Sequence, residues 1–140
     1  MTTSTEFPTL ASVVLDTTDA RGLAEFYRQL LGWTYRSGDE TPPAGEPDPN
    51  GADWLVLNGP GWRLAFQQVA ELSRATWPDP AVPQQLHLDM YVADTERLQR
   101  QHDRALALGA TVLLDRTDDA DEPLWVFADP QGHPFCIFVG

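Results

Sequence analysis

Two stretches of the chain read as short strands, and each runs into a segment whose apolar residues recur at helical spacing. Residues 11–18, Ala-Ser-Val-Val-Leu-Asp-Thr-Thr, read as a short strand with a β-branched apolar centre. Asp19 follows as a candidate N-cap, because its short carboxylate can accept from a free backbone N–H of the first helical turn. Leu23, Phe26, Tyr27, Leu30 and Leu31 then fall on one helical face, and Gly32 stands where a left-handed C-terminal cap favours glycine. Trp33-Thr34-Tyr35 resumes as a strand.

The same order returns later in the chain. Residues 86–93, Leu-His-Leu-Asp-Met-Tyr-Val-Ala, predict a strand, Asp94 caps the next helix, Leu98, Ala105 and Leu108 mark its face, and Gly109 ends it. Asp19 and Asp94 stand 75 residues apart, Gly32 and Gly109 77, Gly61 and Gly132 71. Offsets this close point to one duplicated unit with small loop changes. The first unit continues through Trp54-Leu55-Val56-Leu57, a turn at Asn58-Gly59-Pro60-Gly61 and a strand from Trp62 to Val69. The second continues through Thr111–Leu114, Leu124–Phe127, a turn at Asp129-Pro130-Gln131-Gly132 and a strand from Pro134 to Val139. The order β-α-β-β-β, twice, predicts an α+β fold. Two tandem βαβββ modules would form a curved, partly closed mixed sheet with helices on the outer face and the other face free. The boundaries are a single domain over 8–140, with module 1 at about 10–69, a connector at 70–83 and module 2 at about 84–140.

Two segments break the repeat. Ser37–Ala52 holds four prolines and three glycines, which predicts a mobile loop, either a lid over a cavity or a disordered insertion. Residues 70–83, with Trp77-Pro78-Asp79-Pro80, read as the connector that crosses from one unit to the other.

Because strand side chains alternate between faces, each unit's first strand can be split by parity. Val13 and Leu15, and in the second unit Leu86, Leu88 and Met90, are expected to pack on the helices. Ser12, Val14 and Asp16, and with them His87, Asp89 and Tyr91, then face the opposite side. By the late-strand offset, Ala65 corresponds to Cys136 and Gln67 to Phe138, which adds these four to that face. A face this polar suits a ligand cavity better than a packed core. Trp54, Trp62 and Trp125, on or beside strands, are candidates for its aromatic wall or for the core, the core being the commoner setting, and Trp54 and Trp125 join the candidate ligand-binding set.

Composition narrows the partners. Nine arginines and no lysine face 21 acidic residues, for a formal charge of -12. Scattered arginines among acidic neighbours cannot displace phosphate counterions as a clustered basic patch does, so neither nucleic acid nor an anionic membrane surface is an expected partner. The acidity attracts a cationic ligand or simply keeps the surface solvated. No apolar run approaches the roughly 20 residues of a membrane span. The N-terminal Met1-Thr2-Thr3-Ser4-Thr5-Glu6 lacks the basic start and apolar run of a secretory signal, and Cys136 is the single cysteine. The cytoplasm is the expected compartment.

Asp19, then Leu23-Ala24-Glu25-Phe26-Tyr27-Arg28-Gln29-Leu30-Leu31-Gly32-Trp33, resembles the Asp…Phe-Tyr…Leu-Gly-(Phe/Trp) signature of the glyoxalase and bleomycin-resistance, or vicinal oxygen chelate, superfamily. Asp129-Pro130-Gln131-Gly132-His133-Pro134-Phe135 is similar to that family's terminal turn and strand, and Leu86-His87-Leu88-Asp89 with Asp94 and Gly109-Ala110 resembles the start of its second module. The resemblance covers residues 11–139 and implies the fold, not the reaction, since the family spans isomerases, dioxygenases, epimerases, thiol transferases and drug-sequestering binders. It also implies a homodimer. Metal-dependent relatives place ligands at positions that here are Ser12, Ala65, His87 and Cys136. Only His87 is a customary ligand there, so no metal and no other cofactor is expected.

Three functions stay open on these residues. A metal-independent binder of the resistance or sequestration type would stack its ligand on aromatic walls and meet polar or cationic groups with Asp16 and Asp89. Its ligand-binding set is Ser12, Asp16, Trp54, Gln67, Tyr91, Trp125, Cys136 and Phe138. A lyase or isomerase would use His87 as acid or base with Asp89 orienting it, since an unperturbed imidazole titrates near neutrality. A metal-dependent glyoxalase or dioxygenase is disfavoured by Ser12, Ala65 and Cys136.

Overall fold

Both helices form between the caps that the sequence provides. A computed structural model of the chain describes residues 6–140. Met1–Thr5, part of the segment read as lacking a secretory signal, lies outside the described residues. Helix α1 (Ala20–Leu31) starts where the Asp19 carboxylate accepts from Gly22 N at 3.0 Å and ends on Gly32 at φ 69°. Helix α2 (Thr95–Leu108) starts where Asp94 accepts from Arg97 N at 2.8 Å and ends on Gly109 at φ 114°. A residue with a Cβ is strained in this left-handed region, and glycine is not.

Eight strands accompany the helices: β1 (Val13–Thr17), β2 (Thr34–Tyr35), β3 (Trp54–Gly59), β4 (Trp62–Gln68), β5 (Leu88–Val92), β6 (Thr111–Arg116), β7 (Leu124–Ala128) and β8 (Pro134–Val139). They form two four-stranded mixed sheets, ordered β1-β4-β3-β2 and β5-β8-β7-β6. In each sheet the strand before the helix runs parallel to the last strand of its module, and the remaining pairs are antiparallel. The two modules therefore repeat one topology, βαβββ, as the offsets predict. Neither sheet closes on itself.

A single apolar cluster draws on both modules. Phe26 and Tyr27 of α1 meet Phe135 of β8 with ring centroids 5.9 and 6.1 Å apart, and Tyr27 stacks on Phe66 of β4 at 5.9 Å. The fully buried Tyr27 hydroxyl donates to Asp129 Oδ2 at 2.7 Å, across the module boundary. Burial first, and the Asp129 carboxylate second, push the Tyr27 phenol well above its ordinary value. Asp129, itself 0% exposed, also accepts from the backbone N–H groups of Gln131 and His133. Pulling the modules apart would strip this buried carboxylate of its cross-module donor, a costly change in a low-dielectric interior.

Two expectations are corrected. Leu86 does not join Leu88 and Met90 against the helices: β5 begins at Leu88, and Leu86, ahead of it, is 44% exposed. Alternation has no hold on a residue outside the ladder. The Ser37–Ala52 segment is not a loose loop either. Arg21 of α1 forks onto Asp48 with bonds of 2.8 and 2.9 Å, donates to Asp39 O at 2.7 Å, and lies over the Tyr35 ring. The Asp39 carboxylate, buried, accepts from Val56 N at 2.9 Å and pairs with Arg36 at 3.0 Å. Proline and glycine deny this segment a ladder, and buried side-chain bonds hold it instead. The connector is tied to module 2 by Arg74, which donates to Pro130 O at 3.1 Å, and it includes a cis Trp77-Pro78 peptide.

Candidate functional site

Strand alternation sorts the sheet residues as expected in most places. Val13, Leu15, Leu88 and Met90 pack with the core cluster beneath the helices. On the opposite face of the first sheet, Asp16, Gln67 and Trp54 form one cross-strand row. On the opposite face of the second, Asp89 aligns with Cys136 and Val126, and Tyr91 with Phe138 and Leu124. The Tyr91 and Phe138 rings lie 6.2 Å apart, with Tyr91 72% exposed. Ser12 stands half-buried just ahead of β1.

Trp125 departs from its expected place on the pocket wall. Its register partner on β8 is Ile137, a core residue, so its ring turns to the helix side and lies 4.2 Å from the His102 ring of α2.

A concavity with both polar and apolar lining lies at the seam between the modules, with a volume of about 340 Å³. Val14 and Asp16 of β1, Gln67 of β4, Leu72 of the connector, Leu86 ahead of β5 and His133 ahead of β8 all line it. Sequence reasoning placed Val14, Asp16 and Gln67 on the cavity side but did not foresee Leu72, Gln84 or His133 as lining residues. These three stand outside strands, where parity gives no signal. Although the Asp-Pro-x-Gly turn was recognisable, its contribution to a pocket depends on the second module folding against the first. No residue of 37–52 lines the seam, so that segment is not its lid.

His133 Nδ1 sits 2.9 Å from Asp129 Oδ2. Because Asp129 is a carboxylate that accepts from Tyr27 and two backbone N–H groups, Nδ1 is the donor here, and in the neutral form of the ring Nε2 is the acceptor. Gln131 Oε1 is already taken by Thr18 N and Oγ1, both at 3.0 Å. Asp16 is the carboxylate of the lining, and no arginine is among the lining residues, although Arg74 packs against Gly132 beside it with its guanidinium on Pro130 O.

A second cluster lies on the open face of the second sheet. His87 Nε2 is 3.3 Å from Asp89 Oδ1, and Cys136 stands on the neighbouring strand. Burial, with the Asp89 carboxylate adding to it, pushes the Cys136 thiol up to about 11. It is thus a poor nucleophile near neutrality. None of the three lines the seam pocket.

The hard divalent ion that the family resemblance implies does not fit these residues. Ala65, one of the four positions, offers a fully buried methyl group, and Ser12 offers a hydroxyl at most. Ions that polarise an enediolate want several oxygen or nitrogen donors, and these two module 1 positions supply none that is strong.

The chain's likeness to known proteins follows the same outline. The sequence profile of the Glyoxalase-like domain family matches residues 12–138. No curated protein matches the chain significantly in sequence. Among solved structures, a glyoxalase/bleomycin resistance protein/dioxygenase family enzyme from Burkholderia phytofirmans PsJN superposes with a TM-score of 0.66 at 18% identity, over 91% of this chain and 95% of that one. A mutant of the genomically encoded fosfomycin resistance protein FosX from Listeria monocytogenes, complexed with Mn(II), gives 0.68 at 18% identity over 96% and 93%. Lactoylglutathione lyase from Agrobacterium tumefaciens gives 0.60 at 20% identity over 94% and 93%. At these identities the neighbours share the fold. With the repeated βαβββ topology and a profile match that spans both modules, the chain belongs to the Glyoxalase-like domain family of the glyoxalase/bleomycin resistance/dioxygenase superfamily.

Proposed function

We propose that this protein binds a small molecule in the seam pocket, without metal-assisted chemistry, and prefers a cationic or N–H-rich ligand. One observation carries the reading: a pocket of about 340 Å³ that combines apolar walls with a carboxylate and no arginine. The volume is within the range that takes a small organic ligand. Val14, Leu72 and Leu86 supply apolar surface, Asp16 and His133 Nε2 accept hydrogen bonds, and the Gln67 amide can turn either way. Sequestration of the resistance type needs no more than this, in a cytoplasmic homodimer.

The His87–Asp89 contact of 3.3 Å favours a second reading, a lyase or isomerase with His87 as acid or base. The pair lies outside the pocket lining, on the sheet face beside it, so it ranks second.

A thermal-shift screen of small amines, guanidines and their neutral isosteres, followed by calorimetry, tests both. Under the binding reading, Asp16→Asn weakens cationic ligands by several-fold to about tenfold and leaves neutral isosteres unchanged. Ligands indifferent to Asp16 and Gln67 would overturn it. Turnover of a bound compound that His87→Ala abolishes would establish the second reading instead.

A further inference from the structure

His133 and Asp129 form a pair whose geometry fixes one ring nitrogen and frees the other. The Asp129 carboxylate, 0% exposed, is held from three sides: Oδ1 accepts from Gln131 N at 2.8 Å and from His133 N at 3.1 Å, and Oδ2 accepts from the Tyr27 hydroxyl at 2.7 Å. His133 Nδ1 donates to Oδ2 at 2.9 Å whether the ring is neutral or charged, since a carboxylate offers only acceptors. Any proton that the ring gains or loses is therefore carried on Nε2. That nitrogen bonds to no protein group among the described residues. Asp129 keeps the Nδ1 side in the interior, so the exposed part of the ring, 18% of the side chain, is its Nε2 side, at the pocket that His133 lines.

We infer that His133 makes the seam pocket proton-coupled: a cation bound there displaces the proton on Nε2, and a protonated Nε2 turns the pocket toward ligands that bear an acceptor. This rests on the reading of the seam pocket as a ligand site. The charges around the ring decide the sign. Asp16 of β1 lines the same pocket, Asp129 sits behind the ring, and Tyr27 of α1 stands behind Asp129 as a neutral donor. Arg74 of the connector, its guanidinium 3.1 Å from Pro130 O and its stem against Gly132, is a fixed cation beside the turn. Gln67, Gln84 and Gln131 complete the polar lining without charge. With a neutral ring, Asp16 and the Nε2 lone pair both attract N–H donors. With a protonated ring, an imidazolium and Arg74 flank Asp16, and a cationic ligand meets repulsion and loses one acceptor. Proton and cation thus oppose each other, and by linkage each weakens the other by the same factor.

The test titrates n-butylguanidinium and its neutral isostere n-butylurea into the full chain by calorimetry, at about pH 5.5 and about pH 8, toward the two ends of the range in which imidazoles ordinarily change charge. Expected is a guanidinium affinity that rises roughly three- to tenfold from the lower to the higher pH, while that of butylurea shows no such rise. Proton release appears as a binding heat that varies with the ionisation enthalpy of the buffer. His133→Gln removes the pH dependence, and circular dichroism reports whether it is folded. Nitrogen NMR of the His133 ring needs no variant: butylguanidinium should lower the pH midpoint at which Nε2 titrates, and butylurea should not. Should His133→Gln fail to fold, that measurement decides. A guanidinium affinity that depends on Asp16 yet is equal at both pH values, a pH dependence that persists in folded His133→Gln, or an unmoved His133 midpoint would overturn this inference and leave the pocket reading standing. Failure of butylguanidinium and the other cations to bind at the higher pH would overturn the pocket reading, and this inference with it.

Discussion

His87 and Leu88 are neighbours in sequence with opposite surroundings: one is exposed beside Asp89, the other packs on the core cluster. An exposed side chain with no buried partner can be truncated almost without effect, whereas a charge forced into apolar packing must be desolvated. His87→Ala is therefore expected to shift stability by less than about 0.5 kcal/mol, and Leu88→Asp to cost about 2 to 4 kcal/mol, both measured by urea denaturation. The reverse order would mean that β5 is turned over, and the His87 and Asp89 roles would go with it. Parity made this distinction legible, because a side-chain period of two leaves only two choices. Trp125 was not legible in the same way. A strand tryptophan suits either face, and only the register with Ile137 of β8 turns it toward α2.

Among the elements, Ser37–Ala52 shows how composition can mislead. Its prolines and glycines forbid regular structure, yet Arg21, Asp39 and Asp48 hold it by bonds that no local pattern announces. Asp39→Ala is expected to cost about 1 to 3 kcal/mol, because it leaves the Val56 N–H without its acceptor. Hydrogen exchange should then quicken at Val56, and unchanged protection there would show that the bond contributes nothing. On α1, the Arg28 guanidinium, bonded to Glu25 at 2.6 and 2.9 Å, holds the Glu25 carboxyl below its usual value of 4.5 against the opposing effect of partial burial, and the Tyr35 hydroxyl helps at 2.7 Å. A carboxyl with a lowered folded pKa adds stability that is complete above its unfolded value and is lost as pH falls through the folded one. Glu25→Gln should thus flatten the acid limb of stability below about pH 4.5, seen as denaturation midpoints that converge with those of the parent on acidification. The caps at Asp19, Gly32, Asp94 and Gly109 could be read directly, since capping is a local matter of one side chain and one turn.

For the molecule as a whole, the Tyr27–Asp129 bond and the shared aromatic cluster both cross the boundary between the two modules. The open sheet faces still leave Tyr91 and Val14 uncovered. From the family resemblance, a homodimer is expected at micromolar concentration, and sedimentation velocity checks it. A monomer would mean that each chain uses its seam pocket alone.

The duplicated βαβββ order, the helix boundaries and the inward or outward sense of β1 and β5 were set by the sequence itself, since each depends on contacts within one turn or on a period of two or 3.6 residues. Only the tertiary structure decided that Leu72, Gln84 and His133 complete the pocket, that Asp39 is buried, that Trp125 faces α2, and that His87, Asp89 and Cys136 meet. The reason is range. Cys136 lies 47 residues beyond Asp89 in the chain, and only the parallel pairing of β5 with β8, made through an intervening helix and two strands, brings them side by side.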